Sequence, residues 1–173
     1  WGEQESIRDH HRQLAVRLAE ASGPARQLEI TFRVFDDGVG FRYHIPAQPG
    51  LDRIEITDEV TAFSMTGDHR AWWIPAYEHN RYEIRYTDSP LSKFSKVHTP
   101  VTFATDTGLF VSIHEAALTD FASMTIHRRA GTTLQADLVP WSDGIKVRGT
   151  APMTSPWRTI QIADSAGGLI TSY

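Results

Sequence analysis

The chain contains no cysteine. Disulfides, thiolate metal sites and cysteine nucleophiles are therefore excluded. It has no apolar run near the ~20 residues that a membrane-spanning helix needs. It also has no basic surplus. Lys and Arg number 17 against 21 Asp and Glu, for a net charge of −4, so the electrostatic footprint of a nucleic-acid binder is missing. The eight histidines include the adjacent pair His10 and His11 but no H-E-x-x-H spacing, which argues against zinc. No G-x-S-x-G elbow is present for a serine nucleophile. No G-x-G-x-x-G or P-loop pattern is present for a nucleotide. There is no internal repeat, no low-complexity tract and no convincing long helix.

What is present is ordinary globular composition. The 173 residues are 40% hydrophobic and 22% charged, the size of one domain or a piece of a larger one. Residues 3–20 carry two signals. Glu3, Glu5, Arg8, Arg12 and Arg17 with several alanines favour helix, whereas Leu14, Val16 and Leu18 alternate as in a strand. Ser22-Gly23-Pro24 is a breaker. Leu28, Ile30 and Phe32 alternate with polar neighbours. Asp36-Asp37-Gly38 is a hairpin turn signal, and Val39, Phe41 and Tyr43 form the return strand. Short strands are expected at 54–56, 61–63, 101–104, 109–113, 123–126, 134–138, 145–147 and 159–162. Residues 66–98 are the least regular, with one strand expected at Ile84–Tyr86. Strands with turn signals every 8–12 residues argue for an all-β sandwich.

The stretch from Val111 to Phe121 is the most informative. Its strand ends at His114 and Glu115, where Ala116 and Ala117 follow. A carboxylate at a strand end is held more firmly than one on a loop tip. From spacing alone, it reads as a surface Glu at a strand end. His114 and Glu115 should point to opposite faces. His114 is expected to fix the strand end by a hydrogen bond, with sugar contact as the other role. Asp120 suits a turn cap or a support for Glu115. Trp72 and Trp73 are either satellite core or a platform for a sugar ring. Trp157 and Arg158 read as a packed Trp beside an ion-paired or interface Arg. Asp36, Asp37, Asp58 and Glu59 read as turn chemistry. No two carboxylates stand in a context that marks the acid/base pair of glycoside hydrolysis.

Four segments in order, FRVFDDGVGFRYHIP from Phe32, TPVTF from Thr99, IHEAALTDF from Ile113 and SPWRTIQIAD from Ser155, resemble the amino-terminal domain of glycoside hydrolase family 97, a family of α-glucosidases and α-galactosidases. The resemblance runs over nearly the whole chain. It implies a large, mutarotase-like β-sandwich, incomplete here, with strands before Trp1 and after Tyr173 and a catalytic barrel following in the same polypeptide. It implies a strand for 13–20. It also implies that Glu115 helps to bind a calcium ion shared with the barrel, that the substrate is an α-linked oligosaccharide, and that the acid and the base or nucleophile lie in the barrel. No catalytic residue is therefore assigned to this chain. Candidate substrate contacts are His114, Trp72 and Trp73. The family implies export to the bacterial periplasm or beyond. The alternatives are a carbohydrate-binding sandwich resting on Trp72 and Trp73, or a purely structural module.

Overall fold

A computed structural model describes residues 4–78 and 83–172. Tyr82, one of the aromatics of the irregular segment, lies outside the described residues. In chain order the strands are β1 (Arg12–Ala19), β2 (Gln27–Phe35), β3 (Gly38–Ile45), β4 (Ile54–Ile56), β5 (Ala62–Ser64), β6 (Arg70–Trp73), β7 (Thr87–Pro90) and β8 (Lys96–His98). They continue with β9 (Val101–Ala104), β10 (Phe110–Ala116), β11 (Met124–Arg128), β12 (Thr133–Leu138), β13 (Val147–Gly149), β14 (Met153–Thr154) and β15 (Trp157–Ala163). One short helix, α1 (Ala166–Ile170), follows, and the Ser165 side chain caps it by accepting from Gly168 N.

The strands form an antiparallel nine-stranded sheet ordered β1-β2-β3-β15-β10-β9-β6-β7, with β14 paired to β3. A four-stranded sheet, β5-β12-β11-β8, packs against it, and β13 pairs with β4. Alternation along each strand supplies the core. Val101 and Phe103 from β9 and Ile113 from β10 meet Met124 and Ile126 from β11 and Leu134, Ala136 and Leu138 from β12. All of these are essentially inaccessible to water. The all-β sandwich expected from the sequence is thus the fold.

Residues 12–19 resolve the helix-or-strand ambiguity as a strand, because each residue finds a partner in β2, from Arg12 opposite Val34 to Ala19 opposite Gln27. The strand expected at Ile84–Tyr86 forms instead at Thr87–Pro90, opposite β6. It is an edge strand, where a proline can be tolerated because one side has no ladder to complete. The strand expected at 145–147 begins only at Val147. A turn holds the preceding residues, with Trp141 N donating to Ile145 O at 2.8 Å and Gly144 N to Trp141 O at 3.0 Å. Gly144 has φ +88°, which an L side chain adopts only with strain.

Candidate functional site

Side chains at Val111, Ile113 and Glu115 share one face of β10, and the first two belong to the core or pack on it. Glu115 therefore points into the sandwich, not out of its mouth. It is 9% exposed. Directly across the ladder it faces Arg158 of β15. Arg158 is fully buried. Its Nη1 donates to Glu115 Oε2 at 2.8 Å. Its Nε and Nη2 donate to Glu59 Oε1 and Oε2 at 2.9 and 2.6 Å, the two-pronged geometry that makes guanidinium–carboxylate pairs strong.

Glu59 lies in the connection between β4 and β5 and is itself 9% exposed. Its Oε1 also accepts from Thr61 Oγ1 at 2.9 Å, and Thr61 is hydrogen-bonded to the Tyr43 hydroxyl at 2.7 Å. At the other end Glu115 Oε1 accepts from Met124 N at 2.9 Å. A chain of polar contacts thus joins β3, the β4–β5 connection, β15, β10 and the start of β11.

Two carboxylates share one guanidinium, which leaves the ionised cluster with one surplus negative charge. Burial pushes the Glu115 carboxyl above its usual range. The Met124 N–H and Arg158 act against this without overcoming it, and Glu59 adds to the rise. Buried charge is retained only where it is paired and hydrogen-bonded. Every member here meets that condition.

The loop that leaves Glu115 is strained. Ala117 and Asp120 have φ of +56° and +48°. For residues with a Cβ such values are uncommon and cost energy that the surroundings must offset. The loop returns to β11 at Met124, whose N–H Glu115 holds. Phe121 of the loop lies under the Arg158 guanidinium, 5.8 Å from its centre. One side of the loop is therefore pinned by the buried cluster. The other side, at Asp120, Phe121 and Ser123, walls a cleft of about 610 Å³ shared with Pro140, Trp141, Lys146 and Arg148.

His114 lies on the opposite face of β10. It borders a cavity of about 320 Å³ with Arg33, Trp157 and Gln161. Its buried Nδ1 has no hydrogen-bond partner, so the expected strand-end hydrogen bond is not made through that atom. Burial lowers its pKa. Trp157 is gripped on its ring by Arg33 and Arg42, at 4.9 and 4.5 Å. Trp73 packs on the core, tilted against Phe94, and donates from Nε1 to Ser89 Oγ at 3.0 Å. Trp72 stacks on Phe110 and lies beneath Arg70, which pairs with Asp88. The adjacent tryptophans thus point to opposite faces and do not form a joint platform.

The structure brings Glu115 and Arg158 together and adds Glu59, which the sequence suggested was turn chemistry. The signal for Glu59 lay in β15. Arg158 shares its strand face with Ile160, which packs on the core, so its charge required carboxylates from elsewhere in the chain. Trp141, 64% exposed, carries no motif in the sequence that marks it. Among the described residues no three His, Cys, Asp or Glu side chains are grouped to hold a metal ion.

The fold agrees with what the chain is similar to. The model of the glycosyl-hydrolase 97 N-terminal family matches residues 1–173. The chain therefore belongs to glycoside hydrolase family 97, to the amino-terminal region of such enzymes. A family 97 enzyme from Pseudoalteromonas sp. strain K8, solved in complex with acarbose, superposes with a TM-score of 0.95 and 45% identity over 99% of this chain and 26% of that one. A variant of it in complex with panose gives the same values. A β-arabinopyranosidase shares the fold at a TM-score of 0.80 and 21% identity, over 89% of this chain and 27% of its own. The chain thus spans about a quarter of the length of these enzymes.

Proposed function

We propose that this chain is the amino-terminal sandwich of an enzyme that hydrolyses α-linked gluco- or galacto-oligosaccharides, that it docks on the catalytic part, and that it supplies Glu115 as one ligand of a calcium ion there. The substrate class is supported by the 45% identity to an enzyme solved with acarbose and with panose. The observation that carries the role of Glu115 is the surplus negative charge of the Glu59–Arg158–Glu115 cluster at the end of β10.

The donor chemistry fits calcium. Calcium is held by oxygen ligands, carboxylates above all, in sets of about 6–8. Each Glu115 oxygen accepts one protein hydrogen bond and keeps a further lone pair. Because Arg158 is shared, one carboxylate charge stays uncompensated. The remaining ligands would come from outside the described residues. When bound, the cation would orient the sugar and stabilise charge that develops as the glycosidic bond breaks. Arg158 and the Met124 N–H hold Glu115 in one orientation, and Arg158 competes with the cation for the same carboxylate. Glu59 and Glu115 share one guanidinium and line different cavities, so they do not face each other across one cleft as an acid/base pair would. The acid and the base or nucleophile therefore belong to the catalytic part.

The test is Glu115→Gln in the full-length protein, assayed on aryl α-glucoside and aryl α-galactoside across a calcium titration, with calcium binding followed separately by calorimetry. Weaker calcium binding and a shifted calcium requirement are expected. Unchanged binding and unchanged rate would leave the domain with a structural role only.

A further inference from the structure

The cleft beyond the Glu115 loop carries groups that neither the core nor the buried cluster uses. Trp141 is the largest exposed aromatic among the described residues, at 64%. It projects from a turn closed by two backbone hydrogen bonds and by Asp143, whose carboxylate accepts from Ile145 N at 3.2 Å. The indole is therefore presented on a rigid support, which lowers the ordering cost of binding. Facing it across the cleft is the strained loop with Asp120. Among the described residues, neither the Trp141 indole N–H nor the Asp120 carboxylate is hydrogen-bonded, although the Trp141 backbone N–H donates to Ile145 O. The cleft, at about 610 Å³, falls within the roughly 300–1,000 Å³ typical of small-molecule sites.

The charges select the class of ligand. Lys146 is fixed by Asp137 at 3.1 Å and by the Leu138 carbonyl at 2.6 Å. Arg148 is paired with Asp143 and Glu55. Lys146 shares Asp137 with Lys96, but Arg148 has two carboxylates and Asp120 adds another negative charge to the lining, so the charges nearly cancel and the cleft offers little field for a phosphate or another anion. Asp120 stands beside them and does not add up to a cation site. A neutral, polyhydroxylated ring suits this surface. Its C–H face can lie on the indole while its hydroxyls donate to Asp120 and accept from the outer N–H groups of Arg148.

We propose that the cleft between Asp120–Ser123 and Pro140–Arg148 binds one hexopyranose ring of an oligosaccharide, with Trp141 as the stacking platform and Asp120 as the hydroxyl acceptor. The choice of sugar takes its class from the function proposed above.

The test uses the full-length protein labelled with 5-fluorotryptophan. The Trp141 signal in the ¹⁹F spectrum is assigned by its loss in Trp141→Phe. Maltotriose, then glucose and galactose, are titrated, and hydrolysis of maltotriose is measured in parallel. A saturable shift of the Trp141 signal is expected. In calorimetric titrations, Trp141→Ala and Asp120→Asn should each weaken maltotriose binding at this cleft by about tenfold, equivalent to about 1.4 kcal/mol, while Trp141→Phe should retain most of the affinity. A Trp141 signal that no saccharide moves overturns the proposal, including the case in which the catalytic part covers the ring. If the signal moves but no α-glycoside is hydrolysed, the cleft stands and the proposed activity falls. If hydrolysis proceeds with a silent Trp141 signal, the reverse holds.

Discussion

Replacing Arg158 by Met removes the cation that Glu59 and Glu115 share while keeping most of the side-chain volume. The guanidinium is fully buried and both partners are 9% exposed, so water cannot take its place without opening the sandwich. Removing one partner of a buried ion pair costs about 3–5 kcal/mol, because the remaining charge is left uncompensated. For a domain of this size each kcal/mol moves the melting temperature by roughly 2–4 °C, so a fall of about 6–20 °C is expected. The loss should depend on pH in a definite direction. The Glu115 carboxyl already sits above its usual range through burial, and loss of Arg158 pushes it higher. An acid whose folded-state pKa exceeds its unfolded value binds more protons when folded, so stability falls as pH rises from the unfolded pKa to the folded one. Arg158→Met should therefore lose more stability at pH 7.5 than at pH 5. Glu115→Gln, which leaves a one-to-one Arg158–Glu59 pair, should cost less than half as much and flatten the pH dependence. Thermal unfolding followed by circular dichroism at several pH values checks all three statements. A loss under about 1 kcal/mol for Arg158→Met, or one equal at both pH values, would refute the reasoning that a desolvated surplus charge governs this cluster.

Three other expectations follow from packing and charge. Phe103 is fully buried, and Phe103→Ala should cost about 3–5 kcal/mol in denaturant unfolding. A Cβ added at Gly38 would lie 2.3 Å from the Ile160 carbonyl oxygen, so Gly38→Ala must push β3 away from β15 and should lower stability by about 1–3 kcal/mol in the same assay. Burial pushes the Asp137 carboxyl up, but Lys96 and Lys146 together pull it below the usual carboxylate range. Its contribution is then full above the unfolded pKa and lost as pH falls through the folded one, so Asp137→Asn should narrow the stability difference between pH 6 and pH 3 in acid titration.

The fold was legible where alternation was long and the turns were explicit. The pattern from Leu28 to Tyr43, broken by Asp36-Asp37-Gly38, appears as β2 and β3 with Val34 opposite Val39. It failed where pairing decides. Nothing local distinguishes Ile84–Tyr86 from Thr87–Pro90, since the strand exists only through its register with Arg70–Trp73. The site was legible in one half. Glu115 and Arg158 stood out, but the side of the sheet they occupy follows from Ile113 lying in the core and Ile160 packing against it, which the local pattern alone leaves undecided. Glu59 arrives from 99 residues before Arg158 in sequence, a distance over which no periodicity speaks. Trp141 was hidden by its setting, because a Trp between Pro140 and Ser142 reads as a loop residue until the turn shows it standing clear of the core.

The place of β15 in the large sheet bears on how the protein is made. This strand is the last of the described strands, yet it pairs with β3 on one side and β10 on the other, near the middle of the sheet. During synthesis the two halves of the sheet cannot join until residues 157–163 leave the ribosome, and until then β3 and β10 each offer an open edge to any passing strand. Long-range closure of this kind slows folding and lengthens exposure to aggregation. Arg158 arrives on that same strand and meets two carboxylates that have waited for it. Charged groups placed along the joining seam would keep the halves from closing on a wrong partner before the correct strand is available.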